Sequence, residues 1–230
     1  MSFLWAALLW IADPAHWGGP TGIGTRLVEH LLYSLLALVL AAVIALPLGL
    51  WIGHTGRGRA VAIATTGALR ALPSLGLLTF LAVALGVGIG AALLPATIVL
   101  AVLAIPPILA GAYAGVEGID PDVVDGARAT GMSEWQIVTR VELPLATPMV
   151  IGGIRSAMLQ VLATATIAAY LGLGGLGRFI LDGLPVRDYP QMLAGAILVT
   201  LLALLADGVL VALQRSVVSV GVRTATGLAT

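Results

Sequence analysis

Long apolar runs separated by short polar stretches dominate the chain. A helix that crosses the hydrocarbon core of a bilayer needs about 20 consecutive apolar residues. Several runs approach or exceed that length, and all but the last of them are uncharged. These runs are Leu31–Ile52, Ala71–Leu94, Pro95–Val116, Ser156–Gly177 and Met192–Leu213, the last with Asp207 inside it. The pattern therefore predicts an all-α integral membrane protein with about five spanning helices.

One further apolar stretch lies between Arg59 and Arg70 and is too short to cross a bilayer by itself. We interpret this stretch as the first half of the second spanning helix, which is kinked or broken near Pro73 because proline interrupts helical hydrogen bonding. If the stretch were a separate span, the chain would have six spans, and this count is the alternative.

The arginines near the ends of the runs predict the orientation in the membrane, since cytoplasmic loops carry an excess of cations. With five spans, the loop 54–59, the polar segment 117–142 and the C-terminal tail share one side, and six of the eleven arginines lie there. We therefore expect an external N-terminus and a cytoplasmic tail over residues 215–230.

The N-terminal 26 residues differ from the rest of the chain. Trp5, Trp10 and Trp17 favour a short helix at the membrane interface, because tryptophan prefers the level of the lipid headgroups. We expect residues 1–26 to form an external or interfacial segment, and residues 27–214 to form one transmembrane domain that includes a cytoplasmic segment at 120–144.

Composition narrows the classes of function. The chain is 60% hydrophobic and 10% charged, with a mean hydropathy of +1.08, whereas soluble domains are about a quarter charged. All eleven cations are arginine, so the chain has no lysine for a P-loop or a Schiff base. We expect the chain to hold no cofactor, and ATP and magnesium to be bound by another polypeptide. Acidic and basic residues balance at eleven each, which gives no signature of nucleic-acid binding.

The longest polar stretch, Glu117–Glu142, predicts two helices joined by a turn. Asp120 followed by Pro121 is typical of a helix start, and Gly131 is typical of the residue just past a helix end.

Ser133 then begins a second helix, with Gln136 three residues later as its capping-box partner. The Leu143–Pro144 step predicts the end of this second helix and the start of the fourth span.

The spacing in this segment resembles the signature of permease subunits of binding-protein-dependent ABC importers. That signature is Glu-Ala-Ala, three residues, Gly, nine residues, Ile, one residue, Leu-Pro. The matching residues are Ala127, Gly131, Leu143 and Pro144, and the conservative departures are Asp125, Gly126 and Val141. The resemblance implies the fold of a type I ABC importer transmembrane domain, in which this segment is the coupling helix that docks into a groove on a cytoplasmic ATPase subunit.

Other motifs resemble the osmoprotectant branch of these importers, whose substrates are quaternary ammonium compounds such as glycine betaine, choline and carnitine. The motifs are Glu29-His30-Leu31, the Leu-Pro-Ser-Leu of 72–75, Ile105-Pro106-Pro107 and the glycine-rich stretch Gly172–Gly177. The resemblance implies a translocation path shared with a second permease copy or a homologue, an extracytoplasmic binding protein and a location in the bacterial plasma membrane.

Two alternatives stay open at this point. The first is an ABC permease for another small solute, such as an amino acid. The second is a self-contained secondary transporter, which would need intramembrane ionisable groups or broken helices for ion coupling.

A few polar side chains next to or inside the apolar runs are candidates for the pathway or for pairing. They are Arg70, Arg155, Tyr113, Tyr170 and Asp207. Charges within a membrane are costly and by default functional, although both arginines lie where they could snorkel to the boundary. Aromatic rings could face a quaternary ammonium group, but packing is the favoured role for the tyrosines. We identify no catalytic or metal-ligating constellation and expect no enzymatic activity.

Overall fold

The computed structural model describes residues 3–86 and 92–218, and this part of the chain contains helices and no strands. The α-helices are α1 (Phe3–Ala12), α2 (Ile23–Thr55), α3 (Arg59–Arg70), α4 (Ser74–Ala84), α5 (Leu93–Glu117), α6 (Pro121–Ala129), α7 (Glu134–Ile137), α8 (Leu143–Ala165), α9 (Gly177–Val186) and α10 (Tyr189–Val217). Short 3₁₀ helices cover Pro14–His16 and Thr166–Leu171, and a π-helical turn covers Val138–Glu142. The predicted all-α fold is confirmed.

The number of helices that can span a membrane agrees with the predicted count. Four helical stretches are long and apolar enough: α2, α5, the continuous stretch Glu134–Leu171, and α10. The α3–α4 pair meets the same test only when taken together, and its two halves are bent by 89°. The break lies at Pro73, as predicted. Pro73 is the residue just before α4. If the pair is counted as one span, the chain has five spans. Residues 87–91 of the second predicted run lie outside the described residues.

The spanning helices α2, α5, α8 and α10 all begin earlier in the chain than the apolar runs that predicted them. Helix α2 begins at Ile23 and not at Leu31. Within it, Arg26 and Glu29 form an ion pair of 2.9 Å one turn apart, so the two charges compensate each other inside the helix.

The apolar run Ser156–Gly177 starts too late for the fourth span, because α8 begins at Leu143, where the Leu143–Pro144 step predicted the span to start. Arg155 lies inside α8 and is paired with Asp207 of α10, so its charge does not end the span. The last span, α10, also extends beyond its predicted bounds, from Tyr189 to Val217.

Helix α5 is the centre of the bundle and packs against α2 on one side and α8 on the other. Small residues let these helices approach closely. A Cβ atom on Gly153 of α8 would lie 2.6 Å from the carbonyl oxygen of Pro107 and 3.1 Å from the Cα of Gly111, both on α5. The backbones of α5 and α8 are therefore in direct contact.

Pro106 and Pro107 lie inside α5 without ending it. Proline has no backbone N–H, so Pro107 leaves the carbonyl of Leu103 without its usual helical partner. The side-chain amide of Gln160 on α8 donates to that carbonyl at 3.0 Å. A neighbouring helix thus replaces the missing hydrogen bond, which is the condition for proline inside a membrane helix.

The N-terminal segment folds back onto the bundle. Trp10 of α1 packs edge-on against Phe179 of α9 at 5.2 Å between ring centroids, and Phe3 packs against Tyr189 of α10 at 5.4 Å. The Trp17 indole donates to the carbonyl of Ile11 at 2.7 Å and so closes the turn after α1. The position of this segment at the membrane interface stays a prediction.

Candidate functional site

The polar segment between the third and fourth spans begins with a capped, exposed helix. The Asp120 carboxylate accepts from the Asp122 N–H at 3.0 Å, and Pro121 is the first residue of α6. This confirms the predicted helix start. None of the residues of α6 is fully buried, and only Val124 and Ala127 are half-buried, so most of the helix is exposed.

Gly131 makes the turn after α6, as predicted. Its N–H donates to the Arg128 carbonyl at 2.9 Å, and the Met132 N–H donates to the Ala127 carbonyl at 3.3 Å. These two bonds form a Schellman motif, which needs a left-handed residue at this position. Gly131 has φ +85°, and a Cβ placed there would meet nothing within 4 Å. The requirement for glycine is therefore a matter of backbone conformation and not of space.

The predicted capping box at the start of α7 is confirmed. The Ser133 N–H donates to the Gln136 side chain at 2.8 Å, and the Gln136 N–H donates to the Ser133 hydroxyl at 3.4 Å. The Gly131 turn and the capping box together fix both ends of the connection between α6 and α7.

The predicted end of the second helix at Leu143–Pro144 is wrong. The chain stays helical from Glu134 to Leu171, through the π-helical turn at Val138–Glu142. In that turn the Leu143 N–H bonds to the Val138 carbonyl, five residues back. Because this turn is wider than an α-helical turn, it shifts the hydrogen-bond register just before Pro144. Pro144 therefore lies in the first turn of α8, where a residue without an N–H is tolerated. The polar segment is thus continuous with the fourth span.

Arg128 joins α6 to α7 across the glycine turn. Its guanidinium donates to both carboxylate oxygens of Glu134, at 3.0 and 3.1 Å, and to Asp125 at 3.0 Å. Hydrogen bonds to Glu134, and then to Asp125, raise the pKa of Arg128 above its ordinary value. The pairs are exposed and contribute little to stability by themselves, but the two-pronged geometry fixes the angle between the helices.

His54, in the last turn of α2, contacts this segment through two carboxylates. Its Nε2 lies 3.0 Å from Glu134, and its Nδ1 lies 2.8 Å from the buried carboxylate of Glu142. The sequence pattern predicted neither partner, although the acidic Glu142 between the apolar Val141 and Leu143 was a signal. In the part of the chain that the structure describes, no group of acidic or histidine side chains is arranged to hold a metal ion.

The contact at His54 places the end of α2 and the polar segment at the same end of the bundle. The end of α10 also lies there, because the Gln214 amide donates to the carbonyl of Pro148, near the start of α8. These contacts agree with the prediction that both loops and the tail share one side. Which side faces the cytoplasm stays a prediction, and residues 219–230 of the tail lie outside the described residues.

The signature residues differ in their exposure. Asp125 and Gly126 lie on exposed α6, and a Cβ at Gly126 would meet open space. Val141 and Leu143 are half-buried, and Leu143 lines a cavity of about 440 Å³ together with Trp51 and Trp135. Trp135 is 75% exposed. Of these two tryptophan side chains, Trp135 is the more exposed.

The candidate pathway residues lie on different elements. Arg155 of α8 donates to both oxygens of Asp207 of α10, at 2.8 and 2.9 Å, so these two candidates pair with each other. Tyr113 of α5 is half-buried and packs against the main core cluster. Arg70 is exposed at the end of α3, and Tyr170 is 61% exposed on the second 3₁₀ helix. A pathway role for any of them stays a prediction.

Two of the motifs that carried the resemblance meet at the opposite end of the bundle. The Glu29 carboxylate accepts from the Gly175 N–H at 2.8 Å, and a Cβ on Gly174 would collide with that carboxylate. His30 is buried, and its Nε2 lies 2.9 Å from the Leu162 carbonyl. The glycine-rich turn is therefore held on the start of α2, a contact that the sequence did not predict.

Known proteins of similar sequence show the family to which this chain belongs. The model of a family described as the binding-protein-dependent transport system inner membrane component matches residues 45–219. The chain is 35% identical to the glycine betaine/carnitine/choline transport system permease protein OpuCB of Bacillus subtilis, over 85% of this chain and 88% of the relative. It is 34% identical to the osmoprotectant import permease protein OsmW of Salmonella typhimurium, over 85% of this chain and 91% of the relative.

Solved structures agree on the fold. The methionine ABC transporter MetNI in an inward-facing conformation superposes with a TM-score of 0.73 at 22% identity, over 84% of this chain and 95% of that chain. A structure described as an amino acid ABC transporter with histidines superposes with a TM-score of 0.63 at 18% identity, over 84% of this chain and 92% of that chain. The fold is that of a type I ABC importer permease, and the chain belongs to the family of inner membrane components of binding-protein-dependent transport systems.

Proposed function

We propose that this permease forms the translocation path for osmoprotectants of the quaternary ammonium type. The observation that carries the proposal is the name that its relatives share. Permeases for glycine betaine, carnitine and choline are 34–36% identical to this chain over about 85% of its length. The contact between Glu29 and the glycine-rich turn adds support, because it gives a structural role to two motifs typical of this branch.

We further propose that residues 120–144 are the coupling segment, which docks on a cytoplasmic ATPase. Three features support this role. The residues of α6 are exposed except for half-buried Val124 and Ala127, its turn at Gly131 has a fixed geometry, and the segment continues without a break into α8. A rigid helix of this kind transmits rigid-body motion of a partner to the spans.

The remaining components follow from this proposal. A pair of ATPase subunits binds ATP and magnesium, an external binding protein delivers the solute, and a second permease copy or a homologue completes the path. ATP binding closes the ATPase pair and turns the path outward, and hydrolysis resets it inward. This chain contributes the path and the coupling segment.

An amino acid is the second candidate solute, favoured by the likeness to the methionine transporter. That likeness stands at 22% identity and therefore supports the fold more than the substrate.

Uptake by whole cells tests the substrate. We expect cells that lack other osmolyte uptake to import glycine betaine, choline or carnitine when this chain is expressed with its ATPase and binding protein. The control expresses the two partners without this chain. Import of methionine, with none of the three osmolytes, would remove the osmoprotectant assignment and leave the chain a permease.

A further inference from the structure

Both ring nitrogens of His54 face carboxylates that lie on the polar segment. Nδ1 lies 2.8 Å from Glu142, and Nε2 lies 3.0 Å from Glu134. A neutral imidazole has one donor nitrogen and one acceptor nitrogen, whereas a carboxylate only accepts. Only an imidazolium can donate to both carboxylates at once, and both ring nitrogens lie within hydrogen-bond distance of a carboxylate oxygen.

The two halves of this bridge differ in burial. The Glu142 side chain is 4% exposed, whereas the Glu134 side chain is 58% exposed. A buried carboxylate needs a charged or hydrogen-bonding partner, because desolvation is costly. His54 is that partner for Glu142, which lies in the π-helical turn. This half of the bridge therefore anchors the end of α2 to that turn.

The exposed half continues the bridge to α6. Glu134 also accepts both hydrogen bonds from Arg128, which in turn bonds Asp125. Polar side chains in contact with one another thus run without interruption from α6 across α7 to His54 of α2. Val124 and Ala127 are the only half-buried side chains of α6, so its apolar packing is limited and these polar contacts supplement it.

We propose that His54 is a positioning residue for transport, which makes α2 move together with the coupling segment. The inference rests on the proposed docking of residues 120–144 on an ATPase. The segment is already continuous with α8, so α8 follows its motion through the chain itself. The His54 bridge connects α2 to the same segment. Because α2 in turn packs along α5, the three central helices α2, α5 and α8 move as one unit.

The test compares transport with ATP hydrolysis in liposomes that hold the assembled complex, with labelled glycine betaine as the probe. We expect His54→Ala to lower the ratio of solute transported to ATP hydrolysed by about tenfold. His54→Arg is expected to restore most of that ratio, because a guanidinium can donate to two carboxylates at once. The cavity of about 440 Å³ beside His54 and Glu134 provides room for the longer side chain.

Thr55→Ala is the matched control. Thr55 is the next residue of the same turn, and its hydroxyl donates to the Trp51 carbonyl of its own helix at 2.7 Å. This variant is expected to keep the parental ratio.

His54→Ala also leaves Glu142 buried and unpaired, which could lower the amount of assembled complex. The double variant His54→Ala/Glu142→Gln removes that charge. It is expected to recover the amount of complex but not the transport ratio. A recovered ratio would show that His54 serves only to neutralise Glu142, and this outcome would overturn the proposal.

Two further outcomes would overturn it: a parental ratio in His54→Ala, or an Arg variant as defective as the Ala variant. Gly131→Val separates this result from the proposed function. If Gly131→Val abolishes transport while His54→Ala does not, the inference about His54 fails and the coupling segment stands. If both variants transport normally, the coupling role of the segment fails as well.

Discussion

Gly131 is the residue on which the geometry of the coupling segment depends most. Its φ of +85° lies in the left-handed region, and the space around its Cβ position is open. A valine there would not collide with a neighbour, but it would carry backbone strain of about 1–3 kcal/mol. The strain is relieved if the turn opens, which changes the angle between α6 and α7 and separates Arg128 from Glu134.

We therefore expect Gly131→Val to insert in the membrane at near-normal levels and to lose most of its transport. Co-purification of the ATPase and substrate-stimulated ATP hydrolysis identify which step is lost. Asp120→Ala is the control, because it removes one exposed cap, worth about 1 kcal/mol, and frays only the first turn of α6. Normal transport by Gly131→Val at normal expression would show that this segment is not the mechanical link.

At the scale of elements, local signals in the sequence predicted local structure well. Asp120–Pro121, Gly131 and the Ser133–Gln136 box each specify hydrogen bonds within a few residues, and each is found where the sequence predicted it. The break at Pro73 is of the same kind.

Most of the larger failures involve contacts between distant parts of the chain. The apolar run that predicted the fourth span starts only after Arg155, because the sequence did not show that Asp207, 52 residues away, neutralises this charge. The continuation of the helix past Pro144 is a local failure, because the sequence pattern did not predict the π-helical turn before this proline. The bridge from His54 to Glu142 joins residues 88 positions apart. Pairings of this kind depend on helix packing, and no spacing along one chain encodes them.

The two polar ends of the bundle give a direct test of orientation. The chain has no cysteine, so a single cysteine can be labelled without background. We expect Arg57→Cys, at the end of α2, and Asp122→Cys, on α6, to be shielded from an impermeant thiol reagent in intact cells. Asp182→Cys, on α9, is expected to react.

Permeabilised cells supply the control, in which all three cysteines are expected to react because all three positions are exposed. Labelling of Asp122→Cys from outside would place the polar segment on the external side and would contradict its role in coupling to a cytoplasmic ATPase.

For the whole molecule, polar contacts tie helices together at both ends of the bundle, and close backbone packing occurs between those ends. His54 and Gln214 tie helices together at the end that holds the coupling segment, and Glu29 ties α2 to the glycine-rich turn at the other. Between these ends the backbones of α5 and α8 are in direct contact. This arrangement suits a permease, because motion applied at one end reaches the other only if the middle does not yield.

Gly153 tests whether this packing holds the molecule together. In Gly153→Ala the added methyl group would lie 2.6 Å from the Pro107 carbonyl oxygen, which is backbone and cannot swing aside. Forcing α5 and α8 apart is expected to cost about 1–3 kcal/mol and to lower the melting temperature of the purified complex. Gly152→Ala, one residue earlier on α8, is the matched control: its methyl group meets nothing within 4 Å, and alanine favours a helix over glycine by about 1 kcal/mol. Gly152→Ala should therefore melt at or slightly above the parental temperature, and equal melting temperatures for the two variants would contradict direct backbone contact between α5 and α8.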